Sequence, residues 1–211
     1  MKIELGKFVP TSNMSENKDT YCDLLMTLCK EKYGEKAESI CLPVIRWLET
    51  TDFFEAPAST RYHEPYPGGL VEHTLRVYNN MVELLKIAPF NACNVADATL
   101  CVLVHDWCKI GLYKRDFRNV KNPQTCVWEQ VPIYQKVEYT PVPLGHGAAS
   151  LYMAQRFFHM PMELATAVRW HMGEYHLANE ERSELHTANE YHPLVLLIQF
   201  ADRLACTKYS V

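Results

Sequence analysis

The chain has 211 residues and a formal net charge of −4, which suits one domain with room for a sizeable core. That charge excludes a global basic field drawing the protein to nucleic acid or anionic lipid, although a local basic groove stays open. Hydrophobic residues at 48% and charged residues at 22% are ordinary for a folded soluble protein. The opening stretch "MKIELGKFVPTSNMSENKD" lacks an apolar signal-peptide core, and no apolar run is long enough to cross a bilayer. The eight cysteines form no C-x-x-C pair and read as reduced thiols and small core residues, so a cytoplasmic protein is expected.

Taken in chain order, the pattern is mostly helical. After a polar leader, residues 20–33 place Leu24, Leu25 and Leu28 at helical spacing before a stop at Gly34. Residues 37–48 give a second helix, with Pro43 at a boundary or kink, and "APASTRYHEPYPGG" is a loop by its Pro and Gly content. A long amphipathic helix follows over 69–88, with Leu70, Val77, Met81, Leu84 and Leu85 on its core face. Asn94 or Asp97 caps the next helix, which runs through "ATLCVLVHDWCKIG" and stops near Gly111. Over 116–139 the period changes: "VWEQVPIYQKVEY" alternates and is rich in Val, Tyr and Ile, which predicts a β-hairpin. Helices resume over 147–159 and 162–172, and a last one begins at Pro193 in "PLVLLIQFADRLACTKY". The expected fold is all-α with a small inserted hairpin.

The stretch "LVHDWCKIG" poses a chemical problem, because His105 and Asp106 emerge directly from an apolar run. A buried carboxylate is costly unless it is paired or bound to a metal. Four further groups stand in similar places: His73 inside the amphipathic helix, His146 between glycines in "PLGHGAAS", His171 ending "LATAVRWHM", and Asp202 deep in the last helix. Each has a bland explanation, such as a satisfied polar residue, a salt bridge to Arg203, or a dipole-favoured helix terminus. Together they read differently, since separate apolar segments each present a metal-capable group. Imidazole and carboxylate suit Fe, Mn, Zn, Co or Ni and suit Ca²⁺ poorly. Four His and two Asp also exceed what one tetrahedral catalytic ion needs. Two ions sharing a bridging carboxylate use the set naturally, with Asp106 as the bridge.

The order His73, His105-Asp106, His146, His171, Asp202 resembles the H…HD…H…H…D signature of the HD-domain metal-dependent phosphohydrolase superfamily in its dinuclear form. "YPGGLVEHTLRV" and "LVHDWCKIG" resemble that family's helix signatures. "PLGHGAAS" and "RWHMG" resemble a subgroup of small bacterial and phage-type members with an inserted hairpin. The resemblance covers about residues 60 to 206 and implies an HD helical bundle over 56–211, with 1–55 as a helical extension packed on the core, either a cap or a homodimer contact. It further implies that His73, His105, Asp106 and Asp202 hold a first metal, and that Asp106 bridges to a second held by His146 and His171.

The reaction so implied is hydrolysis of a phosphomonoester or phosphodiester, with a nucleotide as the expected small substrate and a bridging hydroxide made available by the two divalent ions. Lys109, one turn after Asp106, resembles a lysine often found there and is expected to contact phosphate. Arg61, His63, Lys114, Arg118 and Arg203 are further candidates for phosphate contact or leaving-group protonation. The hairpin, tethered between Asp106 and His146, is expected to form a lid or pocket wall, with a dimer contact as the rival reading. No membrane association and no stable nucleic-acid binding are expected. The competing functions are a di-iron HD-type oxygenase and a non-catalytic metal- or nucleotide-binding protein.

Overall fold

A computed structural model describes residues 10, 11, 13–175 and 177–207. Helix α1, Met14–Tyr33, starts earlier than its apolar spacing indicated because Asn13 caps it, its side chain accepting from the Ser15 amide at 3.0 Å. Tyr21, Leu24, Leu25 and Leu28 form its buried face. A 3-10 turn over Gly34–Lys36 leads into α2, Ala37–Glu49. Pro43 lies inside α2 rather than at its boundary, and the helix continues past it with Val44 and Leu48 in the core.

Helix α3, Gly69–Leu84, buries Leu70, Val77 and Met81. It stops short of the expected Ala88, where Pro89 forbids helix through its position. Helix α4, Val95–Val104, is capped by Asn94, which accepts from the Asp97 amide at 3.0 Å. It ends at His105 and not at Gly111; a 3-10 turn over Trp107–Lys109 carries the chain onward. Strands β1, Tyr113–Lys121, and β2, Trp128–Lys136, form the antiparallel hairpin, with Arg115 opposite Tyr134 and Phe117 opposite Pro132.

Helices α5, His146–Ala154, and α6, Met162–Trp170, match their expected places and end slightly sooner. Helix α7, Asn179–Tyr191, was not legible in the sequence, since "NEERSELHTANEY" offers only Leu185 and Ala188 to the core and so carries no apolar stripe. Its first turn is fixed instead by Glu181, which accepts from the Ala178 amide at 3.1 Å and pairs with Arg169 at 2.6 Å. Helix α8, Pro193–Ala205, follows with Pro at its first position.

Helix α4 is the centre of the bundle. Residues 98–104 are all buried, and the helix meets α1, α3, α5, α6 and α8, which is why it is apolar on every side. Helix α3 lies along α8. One apolar core runs without a break from Tyr21 on α1 to Ala205 on α8, across residue 55. The N-terminal helices also hold the turn after α4: the Tyr21 hydroxyl donates to the Leu103 carbonyl at 2.8 Å and accepts from the Trp107 indole at 3.1 Å. The fold is thus all-α with one small hairpin, and among the described residues no helix is long and apolar enough to cross a membrane.

Candidate metal centre

His105 and His171 sit at equivalent places, each just past the last residue of its helix, α4 and α6. A helix end leaves carbonyls without intrahelical partners. Each ring uses one: His105 Nδ1 lies 2.7 Å from the Val102 carbonyl, and His171 Nδ1 lies 2.8 Å from that of Val168. A carbonyl only accepts, so both Nδ1 atoms carry a proton, and in the neutral ring this leaves each Nε2 as a lone pair. These two Nε2 atoms are buried and have no hydrogen-bond partner.

Both lone pairs face Asp106. Its Oδ2 lies 3.3 Å from His105 Nε2, and its Oδ1 lies 3.7 Å from His171 Nε2. Lone pair against carboxylate is repulsive unless a cation stands between them, so the donor set fits a metal on electrostatic grounds alone. The remaining rings divide in the same way. His146 Nε2 is 2.9 Å from Oδ1, whereas His73 Nε2 is 3.6 Å from Oδ2 and 3.0 Å from Asp202 Oδ1. Lys109 Nζ, in the turn, is 2.6 Å from Oδ2. The six residues picked out in the sequence therefore meet at one carboxylate, with His146 and His171 on one oxygen and His73, His105 and, through His73, Asp202 on the other.

Two glycines allow this convergence. A Cβ at Gly147 would collide with the backbone of Val168 and Arg169, so only glycine lets the start of α5 close on the end of α6. That approach puts the His146 and His171 rings 5.1 Å apart. A Cβ at Gly69 would strike the Glu64 carbonyl, and its absence lets the loop before α3 lie on His73. Within that loop Ser59 Oγ accepts from the Tyr62 and His63 amides at 2.9 Å, and Ala58 donates to the Glu64 carbonyl at 3.1 Å.

Charge at the site is balanced within the protein. Burial would raise the Asp106 pKa, but the Lys109 ammonium beside it holds it well below the usual carboxylate range. Burial likewise opposes ionisation of Asp202, and its bond to His73 overrides this and lowers its pKa. Burial would lower the His73 pKa, yet the bond to Asp202 and the facing Glu64 carboxylate lift it to about 9. His73 thus keeps a proton among carboxylates, in the electrostatic position a divalent cation would take over, and metal binding there would be coupled to proton release.

Of the other expected residues, His63 belongs to the site: its ring is 4.8 Å from that of His73, and its Nε2 is buried without a partner. Burial, and then the nearby His73 and Lys109 charges, push its pKa down to about 4. Arg61 is exposed and donates to the Tyr62 hydroxyl at 2.8 Å, and Arg203 is exposed on α8. Lys114 and Arg118 point from the hairpin face that also carries Asp116 and Glu129. His159 and His186 are exposed, as expected of surface residues, His192 is half-buried, and His176 lies outside the described residues.

Sequence reasoning missed three groups. Glu64 Oε2 lies 3.6 Å from His73 Nδ1, behind the ring. Cys108 Sγ lies 3.3 Å from His146 Nδ1, and Cys206 donates to Asp202 Oδ1 at 3.9 Å. A loop acid has no periodicity to betray it. The thiols could have been found by their nearness to Asp106 and Asp202 in sequence.

The HD domain family matches residues 70–206, more than half of the chain and all six of these positions. The protein belongs to the HD domain family, a metal-dependent hydrolase superfamily whose domain binds divalent metals. Comparisons with curated proteins and with solved structures returned no match.

Proposed function

We propose that the protein is a phosphohydrolase that cleaves a phosphomonoester or phosphodiester, with a nucleotide as its substrate, using two divalent metals that share Asp106. The partition of rings between the two Asp106 oxygens carries this reading. His73, His105 and Asp202 would hold one ion and His146 and His171 the other, and the two-histidine set needs the shared carboxylate to reach the three protein ligands of a catalytic ion. Bound there, the ions would lower the pKa of a coordinated water and polarise a phosphoryl oxygen.

The rest is done by side chains of this chain. The carbonyls of Val102 and Val168 hold the His105 and His171 rings by Nδ1–H and turn Nε2 toward Asp106. Lys109 holds Asp106 and adds a fixed positive charge beside the place where phosphate charge would develop. His146, whose side chain is 30% exposed while the other rings are buried, marks the open side of the site. His63, neutral at pH 7, can hydrogen-bond a substrate oxygen without adding charge.

The test is metal analysis of the protein as purified, with a phosphatase and phosphodiesterase panel run on the same sample. About two equivalents of transition metal and turnover that survives with Mn²⁺ under anaerobic conditions are expected. Turnover that instead requires O₂ and iron would assign the oxygenase reading, and holo-protein inert across the panel would assign a binding role.

A further inference from the structure

The hairpin has two chemically different faces. Partners in the antiparallel register point the same way, so Tyr113, Arg115, Phe117 and Lys121 share a face with Lys136, Tyr134, Pro132 and Trp128. Aromatic and basic side chains alternate along it, with Asn119 and Gln130 as its polar members, and no acidic residue lies on it. The opposite face carries Lys114 and Arg118 together with Asp116 and Glu129, so its charges cancel. In a chain of net charge −4, three cations without an acid on one ribbon face form a local field of the opposite sign.

The aromatics are presented rather than packed. Trp128 is 67% and Phe117 54% exposed, and the Arg115 guanidinium lies 5.5 Å from the centre of the Phe117 ring. Among the described residues Arg115, Lys121 and Lys136 take part in no ion pair. At the base, Tyr113 is close enough to Lys109 and Asp106 for their charges to act on it. Besides Asp106, the acid Glu55 acts from outside the hairpin, on Tyr134, also near the base. The strip therefore runs from the metal centre outward to an exposed tryptophan.

We propose that this face is a platform for single-stranded nucleic acid: bases stack on Phe117 and Trp128, phosphates pair with Arg115, Lys121 and Lys136, and the strand leads to Asp106. Stacking on aromatics beside a basic track is how single strands are held without sequence readout. Charge complementarity and the alternation of exposed rings with cations select this occupant over a second copy of the chain, because a single strand offers both a phosphate and a base at each nucleotide. As a substrate assignment the inference rests on the phosphohydrolase reading; as a binding surface it stands by itself.

The experiment is fluorescence anisotropy of labelled oligothymidylate of about ten nucleotides, a length typical of single-strand sites, on the metal-loaded full chain. Three phosphate contacts predict a log–log salt slope of about −2, and the double variant Arg115→Ala/Lys121→Ala should bring it to about −0.7. Trp128→Ala should weaken binding about tenfold, the loss of one stacked base. Lys114→Ala/Arg118→Ala removes the same charge from the opposite face and should change affinity less than twofold. Equal losses from the two double variants, or no salt-dependent binding by wild type, would overturn the platform. So would a Trp128→Ala protein that turns from dimer to monomer in sedimentation while its oligonucleotide affinity stays unchanged. Hydrolysis of small phosphate esters without oligonucleotide binding would sink this inference and leave the proposed function standing. Oligonucleotide binding without any hydrolysis would do the reverse.

Discussion

Asp106 is 3% exposed and lies among helices that contact one another on every side, whereas the strands of the hairpin pack chiefly on each other and carry Trp128 into solvent. At the centre, the rings are each held by another group: His105 and His171 by helix-end carbonyls, His146 by Cys108, His73 by Asp202 with Glu64 behind it, and the turn itself by Tyr21, Ser150 and Asp52. On the hairpin, side chains are held by little beyond the strand register. Metal chemistry needs donors fixed to a fraction of an ångström, and only packed helices supply that. A surface that must accept a ligand needs the contrary, aromatic and charged groups left accessible. The two regions meet at Tyr113, which follows the turn of Lys109 almost directly and begins β1.

The contrast is sharpest at its centre. Asp106→Ala would remove the group shared by both sets of rings, and Asp106→Asn would keep its shape without its charge. Both should lose metal and about a thousandfold or more of turnover, the scale of a principal electrostatic group, while the helices still form. Elemental analysis, turnover and circular dichroism on the same samples check this; two retained metals with wild-type turnover would show that Asp106 is only a helix-end carboxylate.

Lys109→Ala should rank next. It removes the cation on Asp106 Oδ2 but no donor to a metal, so metal content should hold while turnover of phosphate esters falls about a hundredfold. Loss of metal along with turnover would make Lys109 a structural counter-ion instead.

A smaller effect is expected behind His73. Glu64→Gln keeps size but loses the charge facing Nδ1, and outer partners of this kind are worth about tenfold in metal affinity. Competitive metal titration measures it. An unchanged affinity would mean that Asp202 alone orients His73.

The least effect on the centre should come from replacing residues 115–134 with a short Gly-containing turn. Leu112 and Val137 remain joined by their backbone bond of 2.9 Å, so metal content and helical melting should stay as they are. KM or substrate range should shift, because most of the face that starts at Tyr113, near Lys109 and Asp106, is gone. Unaltered kinetics on the best substrate would remove the hairpin from substrate handling.

How much of this was legible depended on the kind of signal. The six centre residues could be read because each is chemically out of place: an imidazole or carboxylate that interrupts an apolar segment is costly unless it has a reason to be there. The hairpin announced itself by a change of period from helical to alternating. Helix α7 stayed hidden because two apolar residues make no stripe, and α4 ended with its apolar run, short of Gly111, where His105 takes the helix-end carbonyl of Val102. Glu64, held at φ 40° in a loop, left no pattern at all.

The sequence by itself determined which residues carry the chemistry and that the body is helical, since both follow from local composition and spacing. Only the tertiary structure decided which oxygen of Asp106 each histidine meets, which thiols and acids stand behind the rings, and that the cations of the hairpin fall on one face. Those relations depend on the Gly147 approach between α5 and α6 and on a strand register that pairs Arg115 with Tyr134. They are set by packing between segments distant in the chain, and a one-residue slip of that register would bring different cross-strand neighbours onto each face.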